Sequence, residues 1–417
     1  MRDLRVFALL ALLSSCSHGQ GAGPIKAAGQ PQARPAADPS ASVTARGFFE
    51  TASPKGSILL VEGATDAKPL EDALAKACRK AGLKADPRLA ELSMSVARQS
   101  DGGRLAPRGA YVGYVSHQLG LVEPTPQLWL AGASRAEMLL PSIDPAVQDA
   151  VHSMAVTHCG GALLKQGQAS VLAVAFSGRF VELERPIPQQ VDVGSSLQLA
   201  ASLPRGYAHP SLAITDPEGL ATRLPLPDAR VINQTITLAS PGTHSIEILA
   251  EGPSGLGVLA VIPVQAGTGA EQAAPAYEEG PAETDVASFV EKLSALIAEA
   301  RAARKLPPLK VDRRLVRVAQ AHTEDMDAHH FVAHTSKTTG EASDRVERAG
   351  LKAQVLLENI GRGYSANEIH EGLMASPGHR ANVLHPEARS MGLGVVIQPE
   401  GDRVAFLVTE LFAKLLN

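Results

Sequence analysis

The chain has 417 residues, of which 45% are hydrophobic and 4% aromatic, and its formal net charge at pH 7 is −4. This length is sufficient for two or three domains, each with its own hydrophobic core. The small net charge, without a basic stripe and interleaved aromatic residues, gives no support to nucleic-acid binding.

The N-terminal segment has the pattern of an export signal. Arg2 and Arg5 precede an apolar run, Val6 to Leu13, that is too short to span a bilayer. The run ends at Leu13-Ser14-Ser15-Cys16, which resembles a bacterial lipobox, where the cysteine thiol receives a diacylglycerol. Residues 1–16 are therefore predicted to be a lipoprotein signal peptide with its acylated cysteine, and acyl chains anchor a protein without a spanning helix. The alternative is an ordinary cleaved signal with an incidental cysteine.

Two segments have the composition of linkers. Residues 17–47 are rich in Gly, Ala, Pro, Gln and Ser with almost no aliphatic periodicity, so they cannot bury enough apolar surface to fold. Residues 266–283 have the same character and predict a domain boundary. We interpret the first segment as a disordered tether and the second as an interdomain linker.

Residues 48–184 are predicted to form an α/β domain. This region contains Cys78 and Cys159, the two cysteines that remain besides Cys16. An exported protein can pair them in a disulfide. Buried free thiols fit the sequence as well, so the pairing stays open.

Residues 185–265 are predicted to form a small β-sandwich. They lack a helical stripe and contain short alternating or β-branched runs separated by Pro, Gly and Asp turns. The short strands and the turn Asp216-Pro217-Glu218-Gly219 are typical of an immunoglobulin-like module. The Cys and Trp markers of that fold are missing, so the topology stays open. The predicted strands are Ser196–Ala201, Val231–Leu238, His244–Leu249 and Gly257–Val264.

Residues 284–417 begin with two amphipathic helices. The first starts at about Thr284, and Asp312 is placed to cap the second. His322 lies on the apolar stripe of the second helix and is expected to point inward. The apolar residues at helical spacing in the first helix are Val286, Phe289, Val290, Leu293, Leu296, Ile297 and Ala300.

The rest of this region contains two more predicted helices and a hairpin. The third helix ends near Gly350, and the fourth begins at the capping box Ser365-x-x-Glu368 and stops before Pro377. The hairpin consists of Gly392–Gln398 and Arg403–Leu411.

Four motifs follow one another in this region and together resemble the bacterial form of the CAP (SCP-like) superfamily. Each motif alone is weak, but the ordered set is specific and covers about a third of the chain. A Met391–Val395 segment and a terminal Thr409–Phe412 segment follow the four motifs. The motifs are Ala319-Gln-Ala-His322-Thr-Glu-Asp-Met326, Phe331-Val-Ala-His334-Thr-Ser336, Glu358-Asn359-Ile360-Gly361 and Ser376-Pro-Gly-His379-Arg380-Ala-Asn382-Val-Leu384.

The resemblance implies an α/β/α sandwich with a central antiparallel sheet and a surface cavity lined by two histidines and two acidic residues. By motif, the histidines fall on His334 and His379, and one acid falls on Glu358. The second acid would fall near Ser376 and is missing, which puts a four-residue mechanism in doubt. Three further residues are interpreted as supports of the cavity: His322, Asn359 and Arg380.

This residue set allows several kinds of chemistry. His334 and His379, with Glu358, can hold Zn²⁺ or another divalent cation and leave a position open for water. Without metal, the carboxylate can orient one imidazole and raise its basicity. Neither arrangement includes a nucleophile, and no Gly-x-Ser-x-Gly elbow presents Ser336. The structural alternative is a satisfied polar network, which we favour for His322, whereas the cavity interpretation is favoured for the other three residues.

Residues 57–184 contain echoes of the C-terminal region that suggest a degenerate CAP-like copy. Leu83–Leu89 parallels Leu309–Leu315, and Gly160–Leu183 parallels Gly392–Leu415 without a gap. The alternative is a pattern of helices and hairpins shared by chance. Carried along the chain, the two registers set Val96 opposite His322, Pro145 opposite Pro377 and Val147 opposite His379. Such a copy would be inactive and would serve binding or spacing.

The sequence therefore predicts a multidomain, exported protein, lipid-anchored in the cell envelope at a bacterial outer membrane or cell surface. Its expected partners are the membrane, through Cys16, and an unidentified extracellular ligand, peptide or envelope polymer. We favour binding of that ligand or of a divalent metal in the His/Glu cavity over catalysis. The alternatives are a metal-assisted or His-assisted, protease-like hydrolase acting on peptide or envelope polymer, and an adhesion or scaffold protein.

Overall fold

The computed structural model describes residues 5–9, 46–65, 67–103, 107–153, 155–252, 255–268, 274–275, 283–329, 331–400 and 403–416. Cys16, most of the predicted tether and much of the predicted linker lie outside these ranges. Among the helices that the structure describes, none is long and apolar enough to cross a membrane.

The first α/β region, residues 46–181, is built on a sheet with the strand order β1-β5-β7-β6-β3, in which β4 also pairs with β6. Part of the predicted signal peptide forms the edge strand β1, antiparallel to β5. The strands are β1 (Arg5–Leu9), β2 (Phe48–Phe49), β3 (Leu59–Glu62), β4 (Lys84–Ala85), β5 (Gln127–Ala133), β6 (His158–Gln166) and β7 (Ala169–Ser177). The helices are α1 (Lys68–Lys80), α2 (Pro87–Gln99), α3 (Gly109–Gln118) and α4 (Leu140–Ser153).

A disulfide joins α1 to the centre of this sheet. Cys78 on α1 and Cys159 on β6 are both buried, and their Cα atoms lie 6.8 Å apart. The pairing that the sequence leaves open is therefore formed in the structure. It ties a surface helix to a central strand.

Two sheets face each other in the second region and form a β-sandwich. Their strand orders are β10-β16-β15-β12-β13 and β14-β11-β8. Isoleucine, leucine and valine side chains fill the space between the sheets, together with Phe49 and Val122 from the first region. The strands are β8 (Glu182–Leu183), β9 (Ile187–Pro188), β10 (Gln190–Val191), β11 (Ser196–Ser202), β12 (Ala208–Thr215), β13 (Ala221–Pro225), β14 (Val231–Thr237), β15 (Gly242–Gly252) and β16 (Gly255–Ala266).

Sequence analysis missed β12 and β13. Each of these strands contains a proline, Pro210 and Pro225 respectively, and the pairing of β12 with β15 is irregular between Ala208 and Ser211. Proline weakens the strand signal because it cannot donate to the hydrogen-bond ladder. Tertiary pairing with β15 nevertheless stabilises β12 as a strand.

The C-terminal region, residues 283–416, has a four-stranded sheet in the order β17-β19-β20-β18. Helix α6 packs on one face, and α5 and α8 pack on the other, which gives three layers. The helices are α5 (Val286–Ala303), α6 (Arg313–Ala328), α7 (Ala342–Arg348), α8 (Ala366–Ala375) and α9 (Pro377–Val383). The strands are β17 (Lys310–Val311), β18 (Ala353–Gly363), β19 (Ser390–Glu400) and β20 (Arg403–Leu415).

The helix starts predicted for this region are confirmed by side-chain caps. The Asp312 carboxylate accepts a hydrogen bond from the main-chain N–H of Arg314, and the Ser365 hydroxyl accepts one from Glu368. Helix α9 was not predicted. Pro377 was taken only as the end of the preceding helix, but proline is also favoured in the first turn of a helix, where its missing N–H costs nothing.

The first and last regions share one sheet topology. Strands β4-β6-β7-β5 repeat the order of β17-β19-β20-β18, and each pair of neighbours runs in the same relative direction. Asp86 donates its main-chain N–H to Cys159 O, as Asp312 does to Met391 O. A Cβ added to Gly160 would meet the backbone of α2 within 2.5 Å, and one added to Gly392 would meet that of α6 within 2.3 Å. In both regions the same contacts link the segment aligned by the first register to the segment aligned by the second register. This similarity supports the hypothesis that residues 57–184 are a degenerate copy of the CAP-like region.

One part of the proposed alignment is wrong. Phe176 pairs with Cys159 as Phe412 pairs with Met391, so Phe412 corresponds to Phe176 and not to Phe180. The cause is the longer C-terminal hairpin, because β19 has 11 residues and β6 has 9. Val147, set opposite His379, is fully buried in an apolar cluster.

Candidate functional site

His334 is held by the buried carboxylate of Glu358, a residue of the edge strand β18. Its Nδ1 lies 3.0 Å from Glu358 Oε1, and its side chain is 52% exposed while that of Glu358 is 5% exposed. Arg345 Nη2, on α7, donates to the other carboxylate oxygen at 2.6 Å. The imidazole is therefore held through Nδ1, and the edge of the ring that carries Nε2 faces outward.

The electrostatics of Glu358 decide which nitrogen of His334 carries the proton. Burial alone would raise the pKa of Glu358, but the hydrogen bond from His334 and the charge of Arg345 outweigh it and hold the pKa below its ordinary value. An ionised carboxylate only accepts hydrogen bonds. The neutral His334 ring therefore carries its hydrogen on Nδ1 and presents the Nε2 lone pair to the outside.

His379, the second histidine that the resemblance assigns to a cavity, lies in the first turn of α9. Burial lowers its pKa to about 4, and a positive charge on His334 would act in the same direction. The ring is therefore neutral at pH 7. Asn359 Nδ2 donates to the main-chain oxygen of His379 at 3.1 Å, and Asn382 Nδ2 donates to Asn359 Oδ1 at 2.8 Å.

The three predicted supports have different roles. His322 is 1% exposed, and its Nε2 lies 3.0 Å from the carbonyl oxygen of Ala333, so it fixes the chain just before His334. Asn359 supports the turn that carries His379. Arg380 contacts other parts of the molecule: its Nη1 donates to Met374 O, and its Nε lies near Gly219 of the sandwich.

Sequence analysis missed Arg345 and Glu410. Arg345 also donates to the carbonyl oxygens of His334 and Gly340, at 3.1 and 2.6 Å, so one guanidinium holds both the loop and the carboxylate. The sequence feature that could have identified Arg345 is a basic residue on the apolar face of α7, next to the buried Val346.

Glu410 is buried in the middle of β20, next to Asn359. Its Oε2 accepts a hydrogen bond from Asn359 at 2.9 Å, and Oε1 has no hydrogen-bond partner among the described residues. Burial raises the pKa of Glu410 to about 7. Its signal in the sequence was one charged residue inside an otherwise apolar strand.

Two hydroxyl groups in the loop after His334, those of Ser336 and Thr338, differ from an activated nucleophile because both are hydrogen-bonded to Asp325. Ser336 is 3% exposed, and its Oγ donates to Asp325 Oδ2 at 2.5 Å. Thr338 Oγ1 donates to the other oxygen of Asp325 at 3.0 Å. These bonds close the loop that carries His334 onto α6, which is a structural role.

A three-ligand metal centre that includes Glu358 does not fit the geometry. Both Glu358 oxygens are engaged, and the guanidinium of Arg345 occupies the place that a cation would need. In the part of the chain that the structure describes, three or more His, Cys, Asp or Glu side chains do not gather in a group that could hold one ion. The imidazoles of His334 and His379 are the donors that remain, with Glu358 as the group that orients His334.

Residues 295–411 match the model of the CAP family, the cysteine-rich secretory protein family, which confirms the resemblance. The C-terminal region is thus a member of that family.

Two curated relatives come from Bacillus subtilis (strain 168). An uncharacterized protein, YkwD, is 31% identical over 116 residues, which is 28% of this chain and 45% of that protein. An uncharacterized membrane protein, YlbC, is 34% identical over 91 residues, which is 22% of this chain and 26% of that protein. The chain therefore spans less than half the length of either relative.

Among solved structures, the chain is similar to an extracellular protein containing a SCP domain from Bacillus anthracis, at 19% identity and a TM-score of 0.28. That match covers 43% of this chain and 63% of the other. An outer surface protein from Borrelia burgdorferi matches at 21% identity and a TM-score of 0.28, over 31% of this chain and 95% of the other. At these TM-scores the structural matches add nothing to the family match.

Proposed function

We propose that the protein is an exported, lipid-anchored cell-envelope protein whose CAP domain binds a ligand or a divalent cation between His334 and His379. The observation that carries this proposal is the hydrogen bond between Glu358 and His334 Nδ1, which leaves Nε2 on the exposed edge of the ring. Burial lowers the pKa of the His379 ring to about 4, so that ring is neutral at pH 7. The ring nitrogens of the two histidines could accept a hydrogen-bond donor or coordinate a metal.

A divalent cation such as Zn²⁺ would be held by the ring nitrogens of His334 and His379. When bound, it would polarise water or a ligand carbonyl in its open positions. Glu358 would orient the His334 ring, as carboxylates behind metal-bound histidines commonly do, and Arg345 would keep that carboxylate ionised.

Hydrolysis of peptide or envelope polymer is the second candidate. The Glu358–His334 pair has the geometry of a general base with an orienting carboxylate, so His334 Nε2 could accept a proton from water. Binding is favoured because Ser336 is committed to Asp325 and no acid stands at position 376.

Loss of either cavity histidine is expected to abolish the response to Zn²⁺. In the full chain, a ligand at a hundred times its Kd should add roughly 2.7 kcal/mol of stability, measured as a thermal shift. His334→Ala and His379→Ala should each remove that shift because each deletes one of the two donors. His152→Ala, which changes an exposed histidine of α4, is the control and should keep it. A wild-type shift that survives both cavity substitutions would show that the ion binds elsewhere, and cleavage of a general protease substrate by wild type alone would favour hydrolysis.

Cys16→Ala is expected to release the protein from the membrane. The acyl chains on Cys16 would be the anchor, with about 0.8 kcal/mol for each buried CH₂, so their loss leaves the chain without a membrane attachment. Fractionation of cells that express the full-length precursor measures this. A variant that stays in the membrane fraction would contradict lipid anchoring through Cys16.

A further inference from the structure

A buried carboxylate of the β-sandwich faces the CAP domain. Glu247 lies on the central strand β15, between Ile246 and Ile248, whose side chains fill the sandwich core. Because side chains alternate along a strand, Glu247 points to the outer face of its sheet. It is nevertheless 0% exposed, and the CAP helix α9 packs against the neighbouring strands β12 and β13.

Glu247 reaches the turn that precedes His379. Its Oε1 accepts a hydrogen bond of 3.4 Å from the Ser376 hydroxyl, and Oε2 has no hydrogen-bond partner among the described residues. A Cβ at Gly378 would lie 3.6 Å from Glu247 Oε2, so the carboxylate lies directly against this turn. Burial raises the pKa of Glu247 to about 7, while Ser376, the main chain of Gly378 and the charge of Arg380 act in the opposite direction.

A second contact joins the same two surfaces. Arg304, at the end of α5, donates from Nη1 to the carbonyl oxygen of Glu218 in the sandwich turn. The next residue of that turn, Gly219, lies against Leu384 and Arg380 of the CAP domain. The turn itself is closed by a hydrogen bond of 2.7 Å from the N–H of Leu220 to Asp216 Oδ1. The contact between the β-sandwich and the CAP domain therefore involves a hydrogen-bonded turn of the sandwich and residues at both ends of α9.

We infer that Glu247 is a positioning residue for His379, so that the β-sandwich forms part of the framework of the cavity. Asn359 holds the main-chain oxygen of His379 from within the CAP domain, and Glu247 holds the residues just before it from the sandwich. The first turn of α9 is thus fixed by two domains at once. This inference rests on the proposed function, because the orientation of His379 matters only if the cavity binds its ligand there.

The test compares three variants of the full chain: Glu247→Ala, Glu247→Gln and Glu251→Ala. Glu251 is an exposed glutamate on the same strand and serves as the matched control. Two signals are measured: the ring Cε1–H NMR resonance of His379, assigned by its loss in His379→Ala, and hydrogen exchange of the amides of residues 377–383. Glu247→Ala should move the resonance and speed exchange roughly tenfold or more, since it removes the hydrogen bond from Ser376 and the buried side chain that lies against the turn. Glu247→Gln should restore both signals because its amide oxygen can accept the same bond and its side chain has the same size, and Glu251→Ala should change neither.

Two results would overturn the inference. One is an unmoved His379 resonance in Glu247→Ala. The other is an equal change at the buried ring of His322, which would show general loosening of the CAP domain instead of a local effect on α9. Cation binding, the part of the proposed function that Zn²⁺ tests, fails separately, if the wild-type chain shows no response to Zn²⁺, whatever the Glu247 variants do.

Discussion

Asp86→Ala is expected to destabilise the first α/β region by roughly 3–5 kcal/mol, the cost of breaking a buried ion pair by removing one partner. The Asp86 carboxylate accepts hydrogen bonds from Arg88 at 2.7 Å and from Arg179 at 2.6 Å. Asp86 and Arg88 are 0% exposed and Arg179 is 7% exposed. The substitution would leave the buried Arg88 guanidinium without its carboxylate partner and Arg179 paired with Glu123 alone.

Fluorescence of Trp129 in urea measures this effect, because the chain has one tryptophan and it is buried in β5. Asp72→Ala, which changes an exposed acid on α1, should cost less than about 0.5 kcal/mol.

The Asp312–Arg314 pair repeats the same local bonds at the start of α6, but the Arg314 side chain is 53% exposed. Asp312→Ala should therefore cost only about 1 kcal/mol, the loss of a helix cap, as measured by hydrogen exchange of α6. Equal losses for Asp86 and Asp312 would show that burial is not the cause.

Glu410→Gln is expected to stabilise the CAP domain at pH 8 and to have little effect near pH 4.5. Burial raises the pKa of Glu410 from 4.5 to about 7, so the folded domain binds this proton more tightly than the unfolded chain does. The stability linked to Glu410 is complete below pH 4.5 and is lost as the pH rises to about 7. From the size of the shift, the loss is on the order of 3 kcal/mol. Glutamine cannot ionise, and its amide oxygen can accept the same bond from Asn359.

Hydrogen exchange of the β20 amides is measured at several pH values and corrected for the intrinsic exchange rate. It gives the difference in the free energy of unfolding between the variant and the wild type. Buried histidines and Glu247 also titrate with shifted pKa values, but they are present in both proteins and cancel. Glu291→Gln, on the exposed side of α5, is the control and should leave the pH profile unchanged. A glutamine variant that is less stable than wild type at pH 8 would mean that the carboxylate is stabilised in its charged form.

Local features of the CAP domain were predictable from the sequence. The cap by Asp312 joins residues two apart, and the cap by Ser365 joins residues three apart. The inward direction of His322 follows from helical periodicity, and the final hairpin follows from two apolar runs around a turn. The CAP domain itself was recognised from its ordered motifs, and the family match confirms it. The lipid anchor and the domain boundaries stay predictions.

Only the tertiary structure identified the residues that control the site. Arg345 is 13 residues from Glu358, Asn359 is 51 from Glu410, and Ser376 is 129 from Glu247. Periodicity and caps depend on neighbours within one or two turns, whereas a buried charge is tolerated only next to a partner that the fold brings to it. The sequence thus predicted, from the family motifs, which histidines and which carboxylate belong to the cavity. The packing of strands and domains decided which nitrogen of His334 faces outward, which acid lies behind Asn359, and which domain supports His379, because each depends on groups that meet only after folding.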